Sequence, residues 1–92
     1  MSDYFNDVKK SLHRYYGKGI ELFYSTRKGK KFMIISPEGK MIHFGSKDYP
    51  DYYLDQTNNR EERRKRFITR NARWKYADKY SPAHLAYWVL WN

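Results

Sequence analysis

Apolar positions recur along this chain at two different periods, and the change of period divides it into elements. Tyr4, Phe5, Val8, Leu12, Tyr15 and Tyr16 fall three and four apart, which lines one face of an α-helix. Ser2 or Asp3 can cap its start, and Gly17 suits the left-handed residue after its end. The spacing predicts a helix over 3–16, with Lys9, Lys10 and Arg14 toward its C-terminal half, where the helix dipole favours cations.

From Ile20 the period shortens. "IELFYS" at 20–25, "KFMIIS" at 31–36 and "KMIHFG" at 40–45 are rich in β-branched and aromatic residues. The turns between them, "TRKGK" and "PEG", suit hairpins, with Pro37 pre-setting the backbone and Gly39 free to take positive φ. An antiparallel meander is predicted. Phe32 and Ile34 share one face of its second strand, Met33 and Ile35 the other. With both faces apolar, that strand is expected to be central and covered on both sides.

"GSKDYPDYYLDQTNN" at 45–59 reads as a connection, because Pro50 and Asn58-Asn59 argue against regular structure. Its Tyr49, Tyr52, Tyr53 and Leu54 predict a loop packed over the sheet. A basic helix should begin near Asn58 or Asn59 and run through "REERRKRFITRNARW", with Glu61 and Glu62 in its first turn and Phe67, Ile68 and Ala72, with Trp74, as its apolar stripe. A last helix starts at "SPAHLAYWVLWN", where Ser81 is a good N-cap and Pro82 sits at the first helical position. Leu85, Trp88, Val89 and Asn92 form one stripe, and Tyr87, Leu90 and Trp91 the opposite one. A helix apolar all round is buried centrally or shared with another surface. The expectation is Trp88 internal and Trp91 shared.

These elements give an α+β fold: a three-stranded antiparallel meander packed with an N-terminal helix and two C-terminal helices. Residues 1–92 read as one small domain, comprising the N-terminal helix (1–17), the meander (20–45), and the tyrosine-rich loop, basic helix and aromatic helix (46–92).

Composition sharpens this picture in two ways. Aromatic residues make up 20% of the 92 positions and Tyr alone occurs ten times, so a small core must be built largely from rings with polar tips. The net charge is +9 and the calculated pI 9.8, which points to polyanionic partners. Cysteine is absent, excluding disulfides and thiolate metal sites. "MSDYFNDVKK" has no apolar run of a secretory signal. The longest apolar stretch, Leu85 to Trp91, falls far short of the roughly 20 residues a bilayer span needs. A soluble protein, neither secreted nor membrane-spanning, is expected.

The charge is clustered. Between Arg60 and Lys75 stand Arg60, Arg63, Arg64, Lys65, Arg66, Arg70, Arg73 and Lys75 against two Glu, so eight minus two leaves +6. Such a helix can contact phosphates, meet an acidic protein surface, or simply face solvent. Arginine predominates, which favours bidentate grip on phosphate or carboxylate. No base-reading pattern is visible, so nucleic-acid binding would be non-specific. Arg27, Lys28, Lys30 and Lys31 add a basic hairpin tip, able to reach a phosphate backbone or merely to keep an edge unpaired. The candidate polyanion-binding residues are Arg27, Lys28, Lys30, Lys31, Arg63, Arg64, Arg66, Arg70 and Arg73. The candidate partner-binding anchors are Tyr87, Trp88 and Trp91, because buried aromatics dominate interface energetics.

Enzymatic signals are weak. His13, His43 and His84 lie in different elements, and Ser25, Ser36 and Ser81 all have turn or cap explanations. His43 with Gly45 is neither a convincing base nor a phosphate cradle, which needs several glycines leading into a helix. No catalytic residue, metal ligand, cofactor or small-molecule substrate is assigned, and no enzyme is expected.

From "STRKGKKFMIISPEGKMIHFGSKDYPDY" onward the chain resembles a family of small basic proteins encoded by tailed phages and large nucleocytoplasmic DNA viruses. The shared pattern is a basic hairpin leading to His43-Phe44-Gly45, an aromatic-acidic stretch from Tyr49 to Tyr53, "ERRKRFITR" from Glu62 to Arg70, and "SPAHLAYWVLW". The likeness spans residues 25 to 91. This chain has Arg70-Asn71 where the family often continues Arg-His, and its helix at 3–16 is additional to the common pattern. The resemblance implies a viral origin and a place in the particle, and no chemistry.

The leading expectation is therefore a small structural protein of a virion, such as a minor capsid component, contacting capsid or other virion proteins through the aromatic helix and tyrosine-rich loop. It would reside in the virion, or in the host cell interior during infection. A non-specific DNA- or RNA-binding protein and an inhibitor of a host enzyme are the alternatives.

Overall fold

A computed structural model describes residues 4–48, 51–53 and 59–91. The expected α+β architecture is present: helix α1 (Tyr4–Tyr16), strands β1 (Leu22–Tyr24), β2 (Lys30–Ile35) and β3 (Met41–Ser46), helix α2 (Arg60–Arg70), a 3₁₀ segment (Ala72–Tyr76) and a short helix α3 (Pro82–Leu85) that continues as a π-helical turn (Ala86–Leu90). The sheet is antiparallel in the order β1-β2-β3, with Leu22 opposite Ile34, Ile34 opposite Ile42 and Phe32 opposite Phe44.

That register sets five apolar side chains on one sheet face, and α1 and the C-terminal helix close over them. Val8, Leu12, Phe32, Ile34, Phe44, Leu85 and Val89 are all almost wholly buried. α1 ends as its sequence predicts: Gly17 takes φ +87° and its N–H bonds back to the His13 carbonyl at 3.0 Å. At the other end of the chain Ser81 caps α3, its side chain accepting the His84 N–H, with Pro82 in the first turn.

Central placement of β2 is as expected, but its covering is one-sided. Alternation puts Phe23, Met33, Ile35, Met41 and His43 on the second face, where Ile35 is 44% and Met41 54% exposed. α1 and the C-terminal helix both pack on the first face, which leaves this one without a covering helix among the described residues. His43 is nevertheless buried, its Nδ1 2.7 Å from Ser25 Oγ.

The basic helix also ends earlier than its pattern suggests. At Asn71 the backbone leaves the helical region (φ −112°, ψ 31°), its N–H still bonded to the Phe67 carbonyl at 2.9 Å, and a 3₁₀ turn carries Trp74. No residue of α2 is buried. Its apolar side is too narrow to embed it, so it stands as a wall beside the body of the protein.

The aromatic terminus lies inside. Leu85 and Val89 on one side, and Tyr87, Leu90 and Trp91 on the other, are all buried, so the helix that is apolar all round is central. The expectation for the two indoles is reversed: Trp91 is buried and Trp88 half-buried. Trp91 lies flat on Phe67, with ring centroids 4.9 Å apart and planes 14° off parallel. Trp88 packs on Tyr15 and His84 near the surface and donates its indole N–H to the Lys75 carbonyl at 3.4 Å.

The last carbonyls of a helix have no partner within it, and here three elements supply donors. Ser11 Oγ of α1 donates to the Val89 carbonyl (2.7 Å), the Tyr52 N–H to Leu90 (3.2 Å), and Arg64 Nε of α2 to Trp91 (2.9 Å). Tail, loop and basic helix are thereby locked together.

Candidate functional site: a cationic cleft with an aromatic floor

Because α2 stands off the body, a cleft of about 840 Å³ opens between it, the β2–β3 end and the C-terminal helix. On α2 the residues facing it are Arg63, Arg66, Phe67 and Arg70, three or four apart as one helix face requires, with Asn71 just past its end. Across from them stand Lys30 and Lys31 of β2 with Gly45 and Ser46 of β3. Trp74, Phe67 and Trp91 supply rings, and Pro82, Ala83, Ala86 and Leu90 the remaining apolar surface.

Gly45 allows the close approach that shapes one end. Its φ is +79°, and a Cβ there would meet Leu90 Cδ1 at 3.0 Å and Lys31 Cβ at 3.4 Å, so only glycine lets β3 and the terminal helix meet without strain. The glycine of "HFG" is thus a packing device.

Among the described residues, five cations line the cleft against one acid, Asp51. That carboxylate is spoken for. It is 2% exposed, and its Oδ2 takes Lys31 Nζ at 3.0 Å and the Tyr4 hydroxyl, while its Oδ1 takes the Tyr53 N–H at 3.0 Å. Burial and this hydrogen bond to Asp51 hold the Tyr4 phenol well above the usual tyrosine range. Arg66 Nη2 pairs with Glu62 at 2.8 Å, but on the exposed side of α2, where such a pair yields readily to another anion. Arg70 is exposed and makes no ion pair among the described residues. The field in the cleft is therefore positive, over a low-dielectric ring surface that strengthens it.

The candidate polyanion residues divide accordingly. Lys30, Lys31, Arg63, Arg66 and Arg70 converge on the cleft. Arg27 and Lys28 are exposed at the hairpin tip, and Arg73 is exposed on the 3₁₀ segment, none of them lining it. Arg64 faces elsewhere: besides its bond to Trp91 it lies 5.9 Å from the Tyr52 ring centre and 3.6 Å from Glu61. Tyr52 is itself clamped, with Arg60 4.4 Å above its ring and its hydroxyl donating to Glu61 at 2.5 Å, a bond that raises its pKa. Of the partner-binding candidates, Tyr87 and Trp91 serve the core and Trp88 retains an outer edge. Tyr49 and Leu54 of the loop lie outside the described residues.

Asp51 and Trp74 are site residues that sequence reasoning passed over. Asp51 carried a signal in being an acid between tyrosines, Trp74 in falling one turn beyond the arginine face. No group of His, Cys, Asp and Glu among the described residues gathers to hold a metal ion, and no helix among them is long and apolar enough to cross a membrane.

No curated protein and no solved structure matches the chain. A family model does match, over residues 20–71. The matched stretch begins just after α1 and stops at Asn71, so it holds all five cleft cations, Asp51 and Phe67, and leaves out Trp74 and the terminal helix. With more than half of its length so matched, the chain belongs to the family of unknown function DUF5754.

Proposed function

We propose that this protein binds nucleic acid without base-sequence preference, gripping the phosphate backbone in the cleft between α2 and the β2–β3 end. The observation that carries this reading is convergence: Lys30 and Lys31 from one element and Arg63, Arg66 and Arg70 from another face one space, and among the described residues its one acid is buried against Lys31. A solvated helix face needs no opposing wall of like charge. Arginine spaced along a helix suits phosphate, and no side-chain pattern for reading base edges accompanies it. Affinity should be steeply salt-dependent. With Lys31 and Arg63 set aside as already engaged, Lys30, Arg66 and Arg70 are left to displace counterions, for a slope of log K against log salt of about −2 on single strands. Titration of a labelled oligonucleotide between about 50 and 200 mM salt measures it. Absence of binding to both single- and double-stranded DNA at low salt would sink the reading.

The family likeness extends it to a viral setting, in a tailed phage or a large nucleocytoplasmic DNA virus, with the protein close to the packaged genome. A second reading, attachment to capsid or other virion proteins, is favoured by the sheet face that no helix among the described residues covers, where Ile35 and Met41 are exposed beside Met33 and Phe23. Since Tyr87 and Trp91 are used internally, that face and the edge of Trp88 would make the contact. Mass spectrometry of washed particles checks it: a structural component is retained.

A further inference from the structure

The cleft contains more than charge, and its rings are not equivalent. Phe67 and Trp91 cover each other's faces at 4.9 Å. Trp74, half-buried, meets Phe67 only edge to face, at 5.8 Å and 74°, and among the described residues its indole N–H has no acceptor and its ring no stacked neighbour. Beside it Asn71 spends its Nδ2 on the Phe67 carbonyl, at 3.3 Å, and its Oδ1 accepts from no described residue. Arg70 and Lys30 flank these groups from opposite walls. A flat ring, a hydrogen-bond donor, an acceptor and flanking cations stand together in a space whose volume, about 840 Å³, is within the range of roughly 300–1,000 Å³ typical of small-molecule sites.

We propose that the cleft takes an unstacked base of single-stranded nucleic acid, laid on Trp74 and within reach of Asn71, while Arg70 and Lys30 hold the adjoining phosphates. This rests on the nucleic-acid reading above and narrows it. Phosphate contacts alone serve duplex and single strand alike, whereas a ring lining a cleft is covered face to face only by a base out of its stack. The carboxylates of an acidic protein segment would satisfy the cations but bring no aromatic ring to cover the indole.

The test uses the full chain and fluorescence anisotropy at low salt, with four probes of matched charge: an oligothymidine strand, an abasic strand, a duplex and a polyglutamate peptide. Oligothymidine should bind about tenfold or more tightly than the other three and quench tryptophan emission, which the abasic strand should not do. Trp74→Ala should bring oligothymidine down to the abasic level, a loss of about tenfold, and Trp74→Phe, which keeps a ring, should restore most of it. Equal binding of oligothymidine, abasic strand and duplex, indifferent to Trp74→Ala, overturns the base site and leaves the phosphate-binding reading standing. Failure to bind any nucleic acid overturns both. Tighter binding of polyglutamate than of any DNA overturns both in favour of an acidic protein partner. Should Trp74→Ala fail to fold by circular dichroism, the comparison of oligothymidine with the abasic strand on the unaltered protein, with Trp74→Phe as the quenching control, decides.

Discussion

Asp51 joins the N-terminus of α1, the second strand and the tyrosine-rich loop through Tyr4, Lys31 and the Tyr53 backbone. Replacing it with alanine removes the anion and leaves the Lys31 ammonium in a place where its side chain is only 9% exposed. Breaking a buried pair from one side typically costs about 3–5 kcal/mol, a large share of the roughly 5–15 kcal/mol that holds a domain together. Asp51→Ala should therefore lower the urea midpoint sharply at neutral pH. Lys31→Met, which removes the charge and keeps the stem, should lower it as well, because it takes the cation away from the Asp51 carboxylate, whose side chain is only 2% exposed. Equal midpoints for Asp51→Ala and the unaltered protein would show the pair to be incidental. The residue that anchors the cleft is thus one the family match contains, and one whose role no local pattern discloses: its partner Tyr4 lies 47 positions away and Lys31 20.

Between elements, the joint of α1 with the start of α3 carries a proton-sensitive contact. The Tyr16 hydroxyl donates to the Lys79 carbonyl at 2.5 Å and has His84 Nδ1 as its second neighbour, so that nitrogen is the donor of the pair. Burial, then the Lys79 ammonium, depresses the His84 pKa below its ordinary 6.5, and burial raises that of the Tyr16 phenol. The fold therefore favours neutral His84. Its contribution is complete above about pH 6.5 and declines as pH falls through the depressed folded value, because the unfolded chain takes the proton first. Melting temperature should fall between about pH 7.5 and about pH 5, and His84→Gln should reduce that difference; an unchanged pH difference in the variant would assign it to other groups. Elements of this kind were legible to the degree that their causes are local. The Ser81-Pro82 start of the last helix, the Gly17 stop and the three strands follow from capping, turn and alternation signals a few residues wide. The end of α2 at Arg70, the uncovered second sheet face and the exchange of roles between Trp88 and Trp91 were not. Each depends on which distant surface arrives: Phe67 claims Trp91, Tyr15 claims Trp88, and no helix among the described residues reaches Ile35. The cleft was half-legible for the same reason, since spacing gathers Arg63, Arg66 and Arg70 on one face, while only the tertiary fold sets Lys30 and Trp74 against them.

At the scale of the whole molecule, the charge proposed to serve binding works against folding. Lys+Arg number 19 against ten Asp+Glu, and the cleft holds cations facing cations across a gap instead of spreading them over the surface. Like charge concentrated in the folded state is relieved when the chain expands, so it costs stability. The exposed pairs Arg66–Glu62 and Arg64–Glu61 return little. Added salt screens repulsion across the cleft, with a Debye length of about 10 Å at 0.1 M, and any anion seated there binds the folded state in preference to the unfolded one. Melting temperature should therefore rise by a few degrees from low to moderate salt, a shift that corresponds to about 1 kcal/mol in a domain of this size. Phosphate should raise it further than chloride at equal ionic strength, and Arg70→Ala should blunt both effects. On the proposed reading, affinity for nucleic acid should move the opposite way over the same range, since the ions that stabilise the cleft would compete for it. Circular dichroism melts and binding titrations in one salt series display the two trends together. A melting temperature that falls as salt rises would mean that the molecule's ion pairs outweigh its self-repulsion, and that the cations around the cleft are too far apart to act as one site.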